Sequence, residues 1–175
     1  TSLVQLNLST TKAIRTGYTF ASWNTAADGS GTKWNPGDNY TPDYNGGTVT
    51  LYAQWTKDTY TISYNLNGGK ISGQKTSYDV TTEAFTLPTP VRGGYTFSGW
   101  TGTGLSSATK TVTVAKGSAG NRSYTANWSA KIYTIYFDYN KPETDGTVGG
   151  AGTTSKSVRF DSTYGALPSP SLDGY

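Results

Sequence analysis

The chain has 175 residues, 34% of them hydrophobic, 14% aromatic and 14% charged, and 14 Lys+Arg against 11 Asp+Glu give it a net charge of +3. Its basic residues are scattered, which argues against a nucleic-acid partner, and with no Cys and no His it has neither disulfides nor the usual transition-metal ligands. No apolar run approaches the roughly 20 residues that span a bilayer, so no membrane insertion by this segment is expected; lacking any Met, it should be a piece of a longer chain with its signal or anchor elsewhere.

Taken in order, Gly17-Tyr18-Thr19-Phe20 with Trp23 opens the first strand-like block. Asp28-Gly29-Ser30-Gly31 offers oxygens to a hard cation. The further acids such a site needs are missing, and the aligned segment Thr101–Ser107 has none, so this is read as a hairpin turn. Next come Trp34, Tyr40 and Tyr44, with Asp38 and Asp43 among them. Aromatic platforms flanked by carboxylates can stack on and hydrogen-bond sugars, and these five residues form the candidate ligand surface. Their structural alternative is to cover the edge of a small core or touch a neighbouring module.

Val49, Leu51, Ala53 and Trp55 alternate with polar neighbours, as do Tyr60, Ile62, Tyr64 and Leu66 with Thr61, Ser63, Asn65 and Asn67. That period of two predicts half-buried strands. Thr81–Phe85 could make one helical turn at most, and Leu87-Pro88-Thr89-Pro90 predicts an extended crossover, because two prolines remove two donors. In Tyr95-Thr96-Phe97-Ser98-Gly99-Trp100 the step from Phe97 to Trp100 is odd, so a bulge at Ser98-Gly99 must return Trp100 to the core. Val112 with Val114, then Tyr124, Ala126 and Trp128, then Tyr133, Ile135, Phe137 and Tyr139, complete the inward-facing set.

These blocks recur. Tyr18 and Tyr95 lie 77 positions apart, as do Trp23 and Trp100; Leu87-Pro88 and Leu167-Pro168 lie 80 apart, and Gly174-Tyr175 begins a third copy of Gly94-Tyr95. Leu51-Tyr52-Ala53-Gln54-Trp55 answers to Tyr124-Thr125-Ala126-Asn127-Trp128. The period is too long for a solenoid rung and suits a small domain. It divides the chain into 1–57, the C-terminal part of one repeat; 58–130, a complete repeat; and 131–175, the N-terminal part of another.

The ordered blocks Tyr60–Gly69, Leu87-Pro88-Thr89-Pro90, Gly94–Trp100 and Tyr124–Trp128 resemble the Listeria–Bacteroides repeat, also called the internalin B-type B repeat. The flanking units depart from the pattern: residues 1–16 lack the Leu-Pro-x-Pro block, and Lys141–Thr154 replaces the short Asn-x-Asn-Gly-Gly turn. The resemblance implies tandem β-grasp-like modules of secreted or surface-anchored bacterial proteins, with no catalytic residues to carry over. The expected fold is mainly β, α+β at most, with little or no helix. The expected function is a non-catalytic array at the cell surface, in the cell wall or outside the cell, acting as stalk, spacer or adhesive fibre. Short connections at Thr56–Thr59 and Ser129–Ile132 predict contacts between neighbouring repeats. Complementary half-repeats raise the possibility of filaments built by strand exchange between copies. The rival reading is a module that binds carbohydrate or a host-surface protein through its exposed aromatics. No enzyme activity and no cofactor are expected.

Overall fold

A computed structural model describes residues 6–9, 13–41, 48–138 and 154–171. The described residues form strands and turns without a helix. In chain order the strands are β1 (Leu6–Asn7), β2 (Tyr18–Asn24), β3 (Lys33–Trp34), β4 (Asn39–Tyr40), β5 (Tyr52–Lys57), β6 (Tyr60–Asn65) and β7 (Ser77–Tyr78). They continue with β8 (Phe85–Thr86), β9 (Tyr95–Gly102), β10 (Thr113–Val114), β11 (Arg122–Ala130), β12 (Ile132–Tyr136) and β13 (Ser155–Arg159). A four-stranded sheet has the order β7-β6-β11-β9 and a three-stranded one the order β3-β2-β5; β1 with β4, β8 with β10, and β12 with β13 make pairs. Fold class is thus mainly β, as the alternating sequence requires.

The chain divides into two compact units. The first comprises Thr1–Ser63, Lys75–Leu87 and Thr113–Ser123. In it Phe20 is buried against Trp23 and Trp55, with ring centroids 5.2 and 5.6 Å apart. Ile62, Tyr78, Leu87 and Val114 are also buried there. Asp79 turns the chain after β7 by accepting from the Thr81 amide at 2.8 Å, so the single helical turn allowed over Thr81–Phe85 is instead an Asx-type turn running into β8. The closing strand starts only at Tyr52, and Val49 is exposed, so the alternation from Val49 overreaches at its beginning.

The second unit comprises Tyr64–Gln74, Pro88–Val112 and Tyr124–Tyr175. Trp100 is fully buried and meets Tyr64 at 5.8 Å, Phe97 at 5.4 Å and Tyr124 at 6.5 Å between ring centroids, while Phe97 also meets Trp128 at 5.5 Å. The expected bulge is present. Along β9 and β11, Trp100 faces Ala126, Gly99 faces Asn127 and Phe97 faces Trp128, leaving Ser98 unpaired. Gly99 has φ 140°, and a Cβ there would come 2.7 Å from the Thr109 amide nitrogen, so only glycine lets Trp100 pair with Thr109 as it does. Leu87–Pro90 belong to no strand, as two prolines dictate. In β12, Ile135 is half-buried, but Tyr133, expected inward, is 46% exposed, although Val158 opposite it in the β12–β13 ladder is buried. Tyr139 lies outside the described residues.

Candidate functional site

Of the five residues proposed to bind a ligand, the structure brings Trp34, Tyr40 and Asp38 together; Asp43 and Tyr44 lie outside the described residues. Trp34 and Tyr40 meet edge to face, with centroids 5.2 Å apart and planes at 90°. Both are half-buried, and Trp34 sits opposite Trp23 in the β2–β3 ladder. The Asp38 carboxylate accepts from the Asn35 amide at 2.5 Å and so shapes the turn between the two rings. A turn carboxylate beside two packed aromatics is a structural arrangement first. It leaves ring edges and faces partly open, which a flat apolar ligand surface could use.

The Asp28 loop is a hairpin turn. Asp28 Oδ1 accepts from the Ser30 hydroxyl at 2.7 Å and its amide at 3.0 Å, and these bonds hold the carboxyl below its ordinary pKa. Buried Asn24 clamps the same turn, donating to the carbonyls of Gly29 at 3.0 Å and Gly31 at 3.3 Å. Among the described residues no three His, Cys, Asp or Glu side chains converge as metal ligands would.

The repeated signature residues turn out to fasten the module. In Leu66-Asn67-Gly68-Gly69 both central residues have positive φ, 46° and 81°, and the Gly69 amide donates to the Leu66 carbonyl at 2.9 Å, as in a tight turn of the I′ kind. Trp128 lies on this turn. Its Nε1 donates to the Leu66 carbonyl at 3.0 Å, and a Cβ on Gly69 would fall 2.5 Å from Trp128 Cζ2. Asn67 Nδ2 adds a bond to the Ala126 carbonyl at 2.9 Å. The second glycine is therefore a seat for the closing tryptophan, 59 positions away in sequence.

The sequence profile of the Listeria-Bacteroides repeat domain matches residues 3–54 and 60–127. The chain belongs to the Listeria-Bacteroides repeat domain family. A protein of Evansella cellulosilytica, provisionally named a Gly-rich membrane protein, is 32% identical over 166 residues, 93% of this chain and 17% of that protein. Internalin H of Listeria monocytogenes is 39% identical over 90 residues, 51% of this chain and 15% of the internalin. The chain thus spans about a sixth of the length of these curated relatives. No solved structure matches it. No helix of the described residues is long and apolar enough to cross a membrane.

Proposed function

We propose that this Listeria-Bacteroides repeat segment is a non-catalytic stalk or spacer of a bacterial surface or extracellular protein. The observation that carries the reading is the serial use of one module whose signature residues are all spent on packing: Trp100, Tyr124 and Ala126 in the core, Gly69 and Trp128 at the closing turn. A relative named as an internalin and another named as a membrane protein support the address. The β-grasp likeness of each module belongs to the same proposal, and rests on β6 and β11 being neighbours at the middle of the four-stranded sheet.

A glycan array probed with the whole chain tests this. The stalk reading expects no saturable binding. Carbohydrate or host-receptor recognition by the Trp34–Tyr40 pair, which its open ring surfaces favour, expects saturable binding that Trp34→Ala abolishes. Filament formation has its own supporting observation: among the described residues β5 ends the β3-β2-β5 sheet and β12 has only β13 beside it, so each presents an edge of the kind that β6 and β11 give one another. Strand exchange between copies would then propagate as a heterologous, non-closing contact. Sedimentation velocity across rising concentration checks it, and a chain that stays monomeric refutes the filament.

A further inference from the structure

Consecutive repeats meet through one contact, made twice. Within the first unit Gly17, at φ 77°, lies against Val80, and a Cβ on that glycine would fall 2.0 Å from Val80 Cγ1. Within the second unit Gly94, at φ 75°, lies against the ring of Phe160, where a Cβ would fall 2.4 Å from both Cδ1 and Cε1. Val80 and Phe160 are 80 positions apart, the spacing of Leu87-Pro88 and Leu167-Pro168, so they occupy one position of successive repeats.

The surroundings match as well. Arg15 stacks over Tyr18 at 3.9 Å and Arg92 over Tyr95 at 3.8 Å from guanidinium carbon to ring centroid. The amide of each tyrosine donates to the carbonyl of its arginine, at 3.0 and 3.2 Å. Each socket glycine carbonyl accepts from the residue that starts the connection to the next repeat: Asp58 donates to Gly17 at 3.0 Å and Lys131 to Gly94 at 2.9 Å. Only the polar fringe differs. The first joint adds a Lys57–Asp79 ion pair at 2.8 Å, the second a bond from the Tyr95 hydroxyl to Asp161 at 2.9 Å.

We propose that the Arg-x-Gly-Tyr turn of the first two repeats is a docking socket, and that the apolar residue at the Val80/Phe160 position is the knob of the following repeat that fills it. The partner this surface fits is therefore the next copy of the repeat. Glycine is needed twice over, for its positive φ and because any side chain would occupy the knob's place. The floor of the socket is backbone, so the knob can change from Val to Phe; the larger ring gains an edge contact with Tyr95 at 5.4 Å. Gly174-Tyr175 repeats the socket pair in the third frame of the sequence. A fixed joint would serve a stalk or an adhesin equally, so its failure leaves the stalk reading untouched.

Because the chain has no Cys, nitroxide labels can be placed at chosen cysteines. Labels on Ser30→Cys and Ala119→Cys span the first joint, and labels on Lys110→Cys and Thr163→Cys span the second. Electron–electron distance measurements should give one narrow peak for each pair. Val80→Ser should abolish the narrow peak of the first pair alone, and Phe160→Ser that of the second pair alone. Gly17→Val and Gly94→Val attack the same joints from the socket side and must give the same losses, so misfolding of one variant leaves the other to decide. Val80→Phe, which gives the first joint the knob of the second, should keep its peak. Broad distributions in the unaltered chain, or narrow peaks that survive both the knob and the socket substitutions, would overturn the proposal.

Discussion

Replacing Trp100 by Ala removes the most enclosed ring of the central repeat. Its side chain is fully buried, between Tyr64, Phe97 and Tyr124. An aromatic of this size buries about 150–250 Å², which at about 25 cal/mol per Å² is worth roughly 4–6 kcal/mol. One term works in the other direction: Trp100 Nε1 is buried without a hydrogen-bond partner, and removing an unsatisfied donor returns about 1–3 kcal/mol. The net loss, about 3 kcal/mol, is comparable to the whole stability of a domain of this size, which at about 0.05–0.15 kcal/mol per residue is only several kcal/mol. Trp100→Ala should therefore leave the central repeat unfolded, or lower its melting midpoint by more than about 12 °C. Trp100→Phe keeps a ring and removes the orphan N–H, so it should cost clearly less. Thermal melts followed by near-ultraviolet circular dichroism would read both. A Trp100→Ala chain melting within a few degrees of the parent, or a Phe variant as unstable as the Ala one, would refute the reasoning.

Gly69→Ala should cost about 1–3 kcal/mol, because its methyl displaces Trp128 from the turn, whereas Gly93→Ala, with open space around it, should be nearly neutral in the same denaturant titration. Acid should loosen the first joint: the hydrogen bond from Lys57, then that from Thr81, hold Asp79 well below the usual carboxylate range, so its contribution is complete above its unfolded pKa near 3.8 and is lost as pH falls below that. Spin-label distances across the joint would follow this, and Asp79→Asn should flatten the response. Alkali should loosen the second joint: the hydrogen bond to Asp161, then burial, raise the Tyr95 phenol above its ordinary value of 10.0. That stabilisation is complete below pH 10 and is lost as pH climbs through the raised pKa; Tyr95→Phe should remove the dependence.

Much of the fold could be read from alternation alone. Ile62 is buried and Tyr60, Tyr64 and Leu66 half-buried, while Thr61, Ser63, Asn65 and Asn67 are exposed, as a period of two demands. The odd step before Trp100 announced its bulge for the same reason. What alternation cannot say is whether a given residue finds cover, which depends on strands from elsewhere in the chain; hence Tyr133 and Val49, patterned as core, are exposed. The aromatics around Trp34 were legible as a group standing apart from the repeated blocks, but their edge-to-face packing was not. The short connections point to contacts between neighbouring repeats, but not to the residues that make them, because Val80 and Phe160 share no letter. The Arg-x-Gly-Tyr turn opposite is the same in both copies, and the reason for its glycine lies in a residue tens of positions away.

The neighbouring of β6 and β11 has a mechanical consequence. Side-chain bonds climb the two strands together, from Thr61 with Asn121 and Ser63 with Arg122 to Leu66 with Trp128, so they run in the same direction. These are the strands by which the central repeat is entered and left. Tension along the chain therefore pulls β6 by its start and β11 by its finish, at opposite ends of a parallel pair. Such a load is shared by every rung at once, where a hairpin pulled from one end would unzip rung by rung. The repeat is wired to resist stretching at the place where stretching would be applied.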